Sequence, residues 1–498
     1  MVHLDLSDLT ASYYWVGSTL AFSYRLNPNL LHQALQQMQK NWPILGGRFL
    51  QDSDGRYYIG LASQASEIPY QSAERLEVCL SDLPSQYSEK KVSDVQPSNC
   101  LLPDFIPQLQ PHLMLAGKEA FFRVQLTQVQ DGCVLGFSFS HGLTDFEGIG
   151  YALADLACLY QGKAMPPQSH DERLWLALVT DANTLSSTPE SDDAILAKLP
   201  TFGPPPQTFE ECIASGKYDL LSCSAEDRAA GEYHSAPVLH VPSACIEKLR
   251  SQILTGQAVQ EALTTVSAND IMCSILWLIR EIANGNNLET GLQKCFLNAV
   301  DLRKHGAAAD VIPKQYFGNA VGGAFSMPPE TSTASLASPT HTAAGSAAQE
   351  LNGQSQALLG HHYMNTLAAA TCAVRKGLEA FRADPDVAQT LATSSRQYMQ
   401  PAQVHQLLAS PDFVPVRDAA LWVSSWRHMA IDDVDFGGGK ARFKLGCVMP
   451  ACTRAVNVTA GPNGDGLMCI VRLPRDGLAK VQQSQLLERI APEARLII

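Results

Sequence analysis

One short stretch of the sequence combines side chains that could carry acid–base chemistry. Residues 140–148 read SHGLTDFEG, so that Asp145 follows His141 by four positions. Histidine ordinarily titrates near neutral pH and can accept the proton of an alcohol or amine as that group attacks a thioester. Its neighbours Ser140 and Gly142 are small and would leave room for a substrate. The stretch therefore predicts a general base at His141, with Asp145 orienting the segment.

The same pattern also has a purely structural interpretation. A histidine and an acidic residue four positions apart recur by chance in a chain with 13 histidines and 49 acidic residues. In that interpretation His141 is a hydrogen-bonded core residue, and Asp145 complements the dipole at the start of a helix. Taken alone, the stretch leaves both interpretations open.

A resemblance that extends over nearly the whole chain makes the stretch specific. Residues 140–148 resemble the His-x-x-x-Asp signature of the BAHD acyltransferases, a plant and fungal family that acylates alcohols and amines from coenzyme A thioesters. Five further segments are similar to motifs of that family and follow in the same order. They are residues 42–48 (WPILGGR), 266–277 (VSAND, ending in Trp277), 300–303 with 316–319 (VDLR and YFGN), 424–426 (SSW) and 435–440 (DFGGGK).

The resemblance implies a role for each matching catalytic residue. His141 would be the general base, and Asp145 would be structural and would pair with Arg303. Ser424 and Trp426 would lie near the thioester carbonyl, where hydrogen-bond donors stabilise the oxyanion by roughly 3 kcal/mol each. Acyl-CoA would be a co-substrate, and no covalent acyl-enzyme, metal or permanently bound cofactor would be needed.

A glycine-rich loop is implied to support the site from a distance. Asp435, Gly437 and Gly439 would belong to a structural loop that shapes the coenzyme A side. Gly438 stands where the family has tryptophan, and Ala441 stands where it has proline. Three consecutive glycines add backbone freedom, so we expect this loop to be less rigid than in the family.

Three more residues are candidates for contacting the phosphates of coenzyme A. Ser267 is predicted to cap a helix, and Lys248 and Arg250 supply positive charge, a combination that suits an anion. Each residue taken singly is explained better as a plain cap or a solvated charge.

Composition excludes several classes of protein. The net charge is −13 and the pI about 5.4, without a basic stripe that would suit a nucleic acid. The 13 cysteines include no Cys-x-x-Cys, which indicates reduced thiols rather than disulfides or zinc ligands. No apolar run reaches the roughly 18 residues of a membrane span, and the first residues lack a signal-peptide pattern. We expect a cytoplasmic protein, and a monomer as is usual in the family.

The elements that must position these residues alternate between strands and helices. Residues 141–148 are predicted to form the corner between a strand and the helix that follows it. The other predicted elements are strands at 13–24, 44–49, 57–61, 120–129 and 133–140, helices beginning at 30 and 270, a surface insertion at 327–356, a helix ending at Phe381, and alternating strands and turns over the last hundred residues.

The resemblance implies an α/β fold of two chloramphenicol-acetyltransferase-like domains with mixed β-sheets covered by helices. We predict a first domain over residues 1–195, a long crossover over 196–225 and a second domain over 226–498 that carries the glycine-rich loop. His141 would lie at the domain interface, in a tunnel that admits acyl-CoA from one side and a small alcohol or amine from the other.

Two other functions remain open at this point. A condensation-type acyltransferase would use carrier-bound donors, but such enzymes normally have a second histidine where this chain has Ser140. A catalytically silent relative would bind a small molecule or a partner protein, and the altered glycine loop leaves room for it. The sequence does not identify the acyl group or the acceptor, nor choose between O- and N-acylation.

Overall fold

The computed structural model describes most of the 498-residue chain. The described residues are 2–3, 15–51, 57–60, 67–83, 102–107, 109, 113–114, 117–164, 237–255, 265–305, 309, 312–329, 348–384, 419–449, 455–461, 464–474 and 476–497. The predicted crossover, residues 196–225, lies outside them, so the domain boundaries stay a prediction.

The strands of the described residues fall into three sheets. In chain order they are β1 (Val2–His3), β2 (Trp15–Phe22), β3 (Arg48–Gln51), β4 (Tyr57–Gly60), β5 (Tyr70–Arg75), β6 (Phe122–Val129), β7 (Gly132–Ser140), β8 (Val238–Val241), β9 (Cys295–Asp301), β10 (Val321–Ser326), β11 (Ala419–Ser425), β12 (Phe443–Met449), β13 (Ala455–Ala460), β14 (Leu467–Ile470) and β15 (Arg495–Ile497).

Helices pack on the five-stranded and the seven-stranded sheet. In chain order they are α1 (Pro28–Asn41), α2 (Leu102–Phe105), α3 (Phe146–Tyr160), α4 (Ser243–Leu254), α5 (Ala268–Ala283), α6 (Ala348–Ala383), α7 (Gly477–Ser484) and α8 (Leu486–Ile490). Short 3-10 turns at Pro43–Gly46, Leu80–Asp82, Leu288–Thr290, Leu302–Lys304 and Ala430–Asp433 connect some of them.

The first sheet has five strands in the order β12-β2-β7-β6-β5. All pairs are antiparallel except β5 with β6. Every residue of β2 and β7 is buried, which fits strands at the centre of a sheet with both faces covered. At the end of β7, Ser140 is paired with Trp15, so this central strand delivers His141 to a fixed position.

Two helices that share a core with the first sheet follow directly from local sequence signals. The side chain of Asn27 accepts hydrogen bonds from the backbone at the start of α1, and Pro28 opens the helix. Asp145 caps α3 in the same way. Apolar residues at helical spacing then face a common core with the sheet; in α1 they are Leu31, Ala34, Leu35 and Met38.

The second sheet has seven strands in the order β10-β9-β11-β13-β14-β8-β15 and is mixed. Helices α4, α5, α6, α7 and α8 share a second hydrophobic core with it. Helix α5 begins with a reciprocal capping box between Ser267 and Asp270. This architecture, together with the first sheet, confirms the predicted class of mixed sheets covered by helices.

Some predicted elements differ from the structure. Residues 43–46 form a 3-10 turn rather than a strand, because Pro43 favours a helical start, and the strand begins only at Arg48. Residues 348–356 of the predicted surface insertion form the start of α6, and residues 330–347 of it lie outside the described residues. Residues 477–490 form two short helices where only strands and turns were expected.

Strand β12 departs most from the expected division into two consecutive domains. It lies within the interval 226–498, between β11 and β13 of the second sheet, yet it pairs along its whole length with β2 of the first sheet. The second part of the chain therefore completes the sheet formed by the first part.

Two features are absent from the described residues. None of their helices combines the length and apolar character that crossing a membrane requires. In the same residues, no group of three or more histidine, cysteine or acidic side chains is arranged to hold a metal ion.

Candidate active site

His141 lies at a tight corner between β7 and α3. The backbone turns immediately after Ser140, where the amide of Leu143 donates to the Ser140 carbonyl oxygen at 3.0 Å. The Asp145 side chain then accepts from the Gly148 amide at 3.0 Å and starts the helix. His141 is half-buried at this corner. The corner matches the predicted strand-to-helix junction.

Asn319 holds the imidazole of His141 through two hydrogen bonds. Asn319 Oδ1 lies 2.9 Å from His141 Nδ1, and Asn319 Nδ2 donates to the His141 carbonyl oxygen at 2.8 Å. Because the amide nitrogen must face the carbonyl, Oδ1 faces the ring and acts as the acceptor. Nδ1 therefore carries the proton, and Nε2 has a free lone pair. Within the described parts of the chain, no group is hydrogen-bonded to Nε2.

Asp145 is fully engaged in structural contacts. The Arg303 guanidinium contacts both of its oxygens, with Nη1 2.8 Å from Oδ2 and Nη2 3.0 Å from Oδ1. The Ala320 amide donates to Oδ2 at 2.8 Å. With the Gly148 amide included, four donors surround this buried carboxylate. Asp145 thus faces Arg303 and not an incoming substrate.

Arg303 connects the ends of β9 and β10 to this corner. Its guanidinium also donates to the carbonyl oxygens of Tyr316 and Gly318 and to Asp301 Oδ1, at distances between 2.7 and 3.1 Å. Burial lowers the pKa of Arg303, but the carboxylates of Asp145 and Asp301 raise it by more, so the side chain stays charged. These contacts fix the turn that presents Asn319 to His141.

Trp426 approaches the same corner from the second sheet. Ser424 lies near the end of β11, and the Trp426 amide donates to the Val458 carbonyl oxygen at 2.8 Å. The indole of Trp426 stacks on Phe146, with ring centroids 3.7 Å apart and planes 10° apart. Phe146 is the first residue of α3, so the Trp426 ring lies against the helix that starts beside His141.

A buried lysine supports the segment that carries Trp426. Lys444 Nζ donates to the Trp426 carbonyl oxygen and contacts the Asp432 carboxylate. Burial lowers the pKa of Lys444, and Asp432 counteracts this effect. Lys444 belongs to β12, so the strand that joins the two sheets also anchors this segment.

The glycine-rich loop lies at the other end of α3. Asp435 Oδ1 accepts from the amides of Gly437 and Gly439 at 2.7 and 2.9 Å. Gln161, just past the end of α3, donates to the Asp435 carbonyl oxygen at 2.6 Å. Helix geometry places Gln161 roughly 24 Å along the axis from Asp145. The loop is therefore remote from His141.

Tyr24 occupies the space beside Gly438. A Cβ atom at Gly438 would lie 2.7 Å from atoms of the Tyr24 ring, and the Tyr24 hydroxyl donates to the Gly439 carbonyl oxygen at 2.9 Å. Gly437 and Gly439 have φ angles of 103° and 108°, which favour glycine. The loop is thus held by defined contacts, in contrast to the freedom expected from three glycines.

The three residues predicted to contact coenzyme A have protein partners, and their contact with coenzyme A stays a prediction. Lys248 pairs with Glu493 at 3.2 Å, and Arg250 pairs with Glu247 at 2.6 Å. The Ser267 hydroxyl accepts from an amide of its own helix. Lys248 and Arg250 follow β8, whereas the contacts to His141 come from β9 and β10 at the opposite edge of the second sheet. The structure does not bring these two cations to the His141 corner.

Two residues of this site had no role assigned from the sequence. Asn319 ends the YFGN segment, and Glu147 lies inside the stretch 140–148. Glu147 is buried and contacts Lys304 and the backbone of Ala430. The motifs contained the signal for both residues, but their partners are about 160 to 280 positions away in sequence.

Comparison with known proteins identifies the family of this chain. A family model described as Transferase family matches residues 28–487. The O-acetyltransferase ptmV of Penicillium ochrochloron is 24% identical over 242 residues, a match that spans 45% of this chain and 43% of that relative. The match therefore covers less than half the length of ptmV.

Solved structures share the fold at low sequence identity. TRI101 of F. sporotrichioides, crystallised with coenzyme A and T-2, has a TM-score of 0.62 at 13% identity, and the similarity covers 100% of both chains. Vinorine synthase has a TM-score of 0.56 at 14% identity and covers 96% of this chain and 91% of its own. With a family model matching over most of its length, this chain belongs to the Transferase family, the BAHD acyltransferases.

Proposed function

We propose that the protein transfers an acyl group from a coenzyme A thioester to a small alcohol or amine, with His141 as the general base. The observation that carries this proposal is the pair of hydrogen bonds between His141 and Asn319. They hold the neutral ring with its proton on Nδ1 and leave the Nε2 lone pair for a substrate proton.

The transfer proceeds directly, in a ternary complex of donor, acceptor and enzyme. His141 Nε2 accepts the hydroxyl or amine proton while the acceptor atom attacks the thioester carbonyl carbon. The oxyanion that forms is stabilised by donors from the Ser424 and Trp426 segment. The carbon–sulfur bond then breaks, and the leaving thiolate takes the proton back from the imidazolium. No group of the protein is acylated in this sequence.

The relatives suggest the substrate classes. TRI101 was crystallised with coenzyme A, and ptmV is described as an O-acetyltransferase. The TRI101 complex supports a coenzyme A thioester as the donor, and the description of ptmV supports an alcohol as the first acceptor to test. The acceptor itself is left to experiment, because the likeness to TRI101 concerns the fold.

The test is a thiol-release assay with a panel of acyl-CoAs and of alcohols and amines. We expect the wild type to release coenzyme A only when an acceptor is present. His141→Ala should reduce turnover by about 10² to 10⁴, the usual contribution of a general base. His361→Ala, an exposed histidine in α6, serves as the control and should retain wild-type turnover.

Three results would count against the proposal. Equal turnover by the wild type and His141→Ala would remove His141 from the chemistry. Stoichiometric binding of acyl-CoA without turnover on the whole panel would instead favour a catalytically silent binding protein. An acyl group found attached to the protein by rapid-quench mass spectrometry would exclude direct transfer.

A further inference from the structure

Glu147 is a buried carboxylate that the proposed chemistry does not use. It is 5% exposed and lies in the first turn of α3, two residues after Asp145. A buried charge is costly unless each of its oxygens has a partner. Two partners of Glu147 come from distant segments of the chain, one for each oxygen, and the Tyr151 hydroxyl of the same helix also donates to Oε1 at 3.2 Å.

The first oxygen faces the end of β9. Lys304 Nζ lies 3.1 Å from Glu147 Oε1 and also 3.2 Å from Asp301 Oδ2. Asp301 in turn contacts Arg303, the arginine that holds Asp145. Glu147 is therefore connected through charged pairs to the residues that fix the His141 corner.

The second oxygen holds the segment that follows Trp426. The Ala430 amide donates to Glu147 Oε2 at 3.0 Å. One helical turn further along α3, Gly150 lies so close to this segment that a Cβ there would be 2.8 Å from the Ile431 amide. The Phe146 ring stacks on Trp426.

The segment from Trp426 to Ile431, called the Trp426 segment, thus packs along the first turns of α3. Of the three contacts, the ring stack can slide and the glycine contact is only van der Waals in nature. The hydrogen bond from the Ala430 amide to the Glu147 carboxylate is directional and charge-assisted. It is the contact best suited to fix the segment along the helix.

We propose that Glu147 is a positioning residue for acyl transfer, which sets the place of Ser424 and Trp426 relative to His141. The inference rests on the proposed function, since it concerns that same reaction. Glu147 touches no reacting atom. A displacement of about 1 Å in catalytic groups can reduce the rate about 100-fold, so loss of the Ala430 contact should lower kcat rather than raise KM.

The experiment compares three substitutions at Glu147 in the thiol-release assay. Glu147→Ala removes the acceptor for the Ala430 amide and should lower kcat about 10- to 100-fold with little change in the KM for acyl-CoA. Glu147→Gln keeps a carbonyl oxygen at this position, and its kcat should stay within about 3-fold of the wild type. If Glu147 acted only through its negative charge, Glu147→Gln would lose as much kcat as Glu147→Ala. A near-normal kcat in Glu147→Gln therefore indicates that the position of the acceptor oxygen matters.

A third substitution covers the case in which Glu147→Ala does not fold. Glu147→Asp retains the charge beside Lys304 but withdraws the carboxylate from Ala430 by one methylene, so kcat should fall about 10-fold or more. The matched control is Glu281→Ala. Glu281 is a fully buried carboxylate in α5 that accepts from the Lys294 amide at 3.2 Å, far from this corner in the fold. Its loss should lower thermal stability and leave kcat unchanged.

The outcomes separate this inference from the proposed function. If the wild type has no turnover, the proposed function fails, and the role of Glu147 fails with it. If the wild type turns over and a folded Ala or Asp variant keeps wild-type kcat, only the role of Glu147 is refuted. A Gln variant that loses as much kcat as the Ala variant would also refute it, because the charge rather than the position would then matter.

Discussion

A histidine acts efficiently as a general base when its ring is held in place with one nitrogen free to accept a proton. In this protein the fixing group is an amide, Asn319, whose two ends contact the ring and the backbone of the same residue, His141. An amide does this without adding charge, so the orientation of the ring is separated from the ion pair between Asp145 and Arg303.

The role of Asn319 gives the first prediction. Asn319→Ala removes both hydrogen bonds and lets the His141 ring rotate, so kcat should fall about 10- to 100-fold while the KM for acyl-CoA changes little. Steady-state kinetics at several pH values would measure this. Asn286→Ala, which removes an asparagine that contacts Glu281 of α5, is the control. Wild-type kcat in a folded Asn319→Ala variant would contradict the orienting role.

At the scale of elements, the glycine-rich loop and β2 depend on each other. The Tyr24 ring fills the space beside Gly438, and Phe436 packs edge-on against Phe22 and Tyr160 at centroid distances of 5.6 and 5.4 Å. A large residue at 438 and a tyrosine at 24 therefore compete for one volume. Gly438 stands where the family has tryptophan, but it leaves no gap, because the Tyr24 ring fills the space beside it.

This competition gives the second prediction. Gly438→Trp alone should lower the free energy of unfolding by about 1 to 3 kcal/mol through overpacking against Tyr24. Combining it with Tyr24→Ala should cost less than the sum of the two single changes, by about 1 kcal/mol. Urea denaturation of the four proteins measures the coupling.

Gly360 in α6 provides the control for the tryptophan substitution at Gly438. Gly360→Trp should have little effect, because a Cβ added at this position of α6 would meet no neighbouring atom within 4 Å. Additive effects of the changes at 24 and 438 would show that the two residues do not share space. Activity of the single variant should remain, because the loop lies at the far end of α3 from His141.

Another pair of elements, α1 and α3, meets around a buried carboxylate. Asp155 of α3 is 1% exposed and faces Trp42 at the end of α1. Burial raises the pKa of Asp155 to about 6, although the contact with Trp42 acts in the opposite direction. The folded protein therefore binds a proton here more tightly than the unfolded chain does.

The third prediction follows from this difference. Because the folded pKa exceeds the unfolded one, stability should decrease as pH rises from about 4 through 6, by up to about 3 kcal/mol. Asp155→Asn should remove this decrease, so it should stabilise the protein at pH 7.5 and not at pH 4. Urea denaturation at both pH values, with the exposed Asp104→Asn as control, checks this. A wild-type-like pH dependence in Asp155→Asn would assign the effect to other groups.

At the scale of the whole molecule, the sequence predicted the parts better than their assembly. The strand-to-helix corner at His141 and helix α5 follow from local signals, namely apolar periodicity and the caps Asp145 and Ser267. The placement of β12 in the first sheet and the partnership of Asn319 with His141 depend on contacts between distant segments. No local pattern encodes such contacts, so they appear only in three dimensions.

These long-range contacts join the two sheets into one unit. After β11 of the second sheet, the chain crosses to the first sheet and forms its edge strand β12. It then returns to the second sheet as β13. The ion pair of Asp145 with Arg303 and the hydrogen bond of Glu147 with Ala430 cross between the same two parts. The first sheet lacks an edge strand if the second part of the chain unfolds. The stability of each part should therefore depend on the other.

The fourth prediction tests this dependence with one cavity in each core. Leu153→Ala lies in the core under the first sheet and Leu276→Ala in the core under the second. Each substitution typically costs about 2 to 5 kcal/mol. If the two parts unfold together, both variants should shift one common transition in urea to lower concentration, whether unfolding is followed by far-UV circular dichroism or by tryptophan fluorescence. Two transitions, each shifted by only one of the variants, would show that the parts unfold independently and that β12 detaches from the first sheet without disrupting the second.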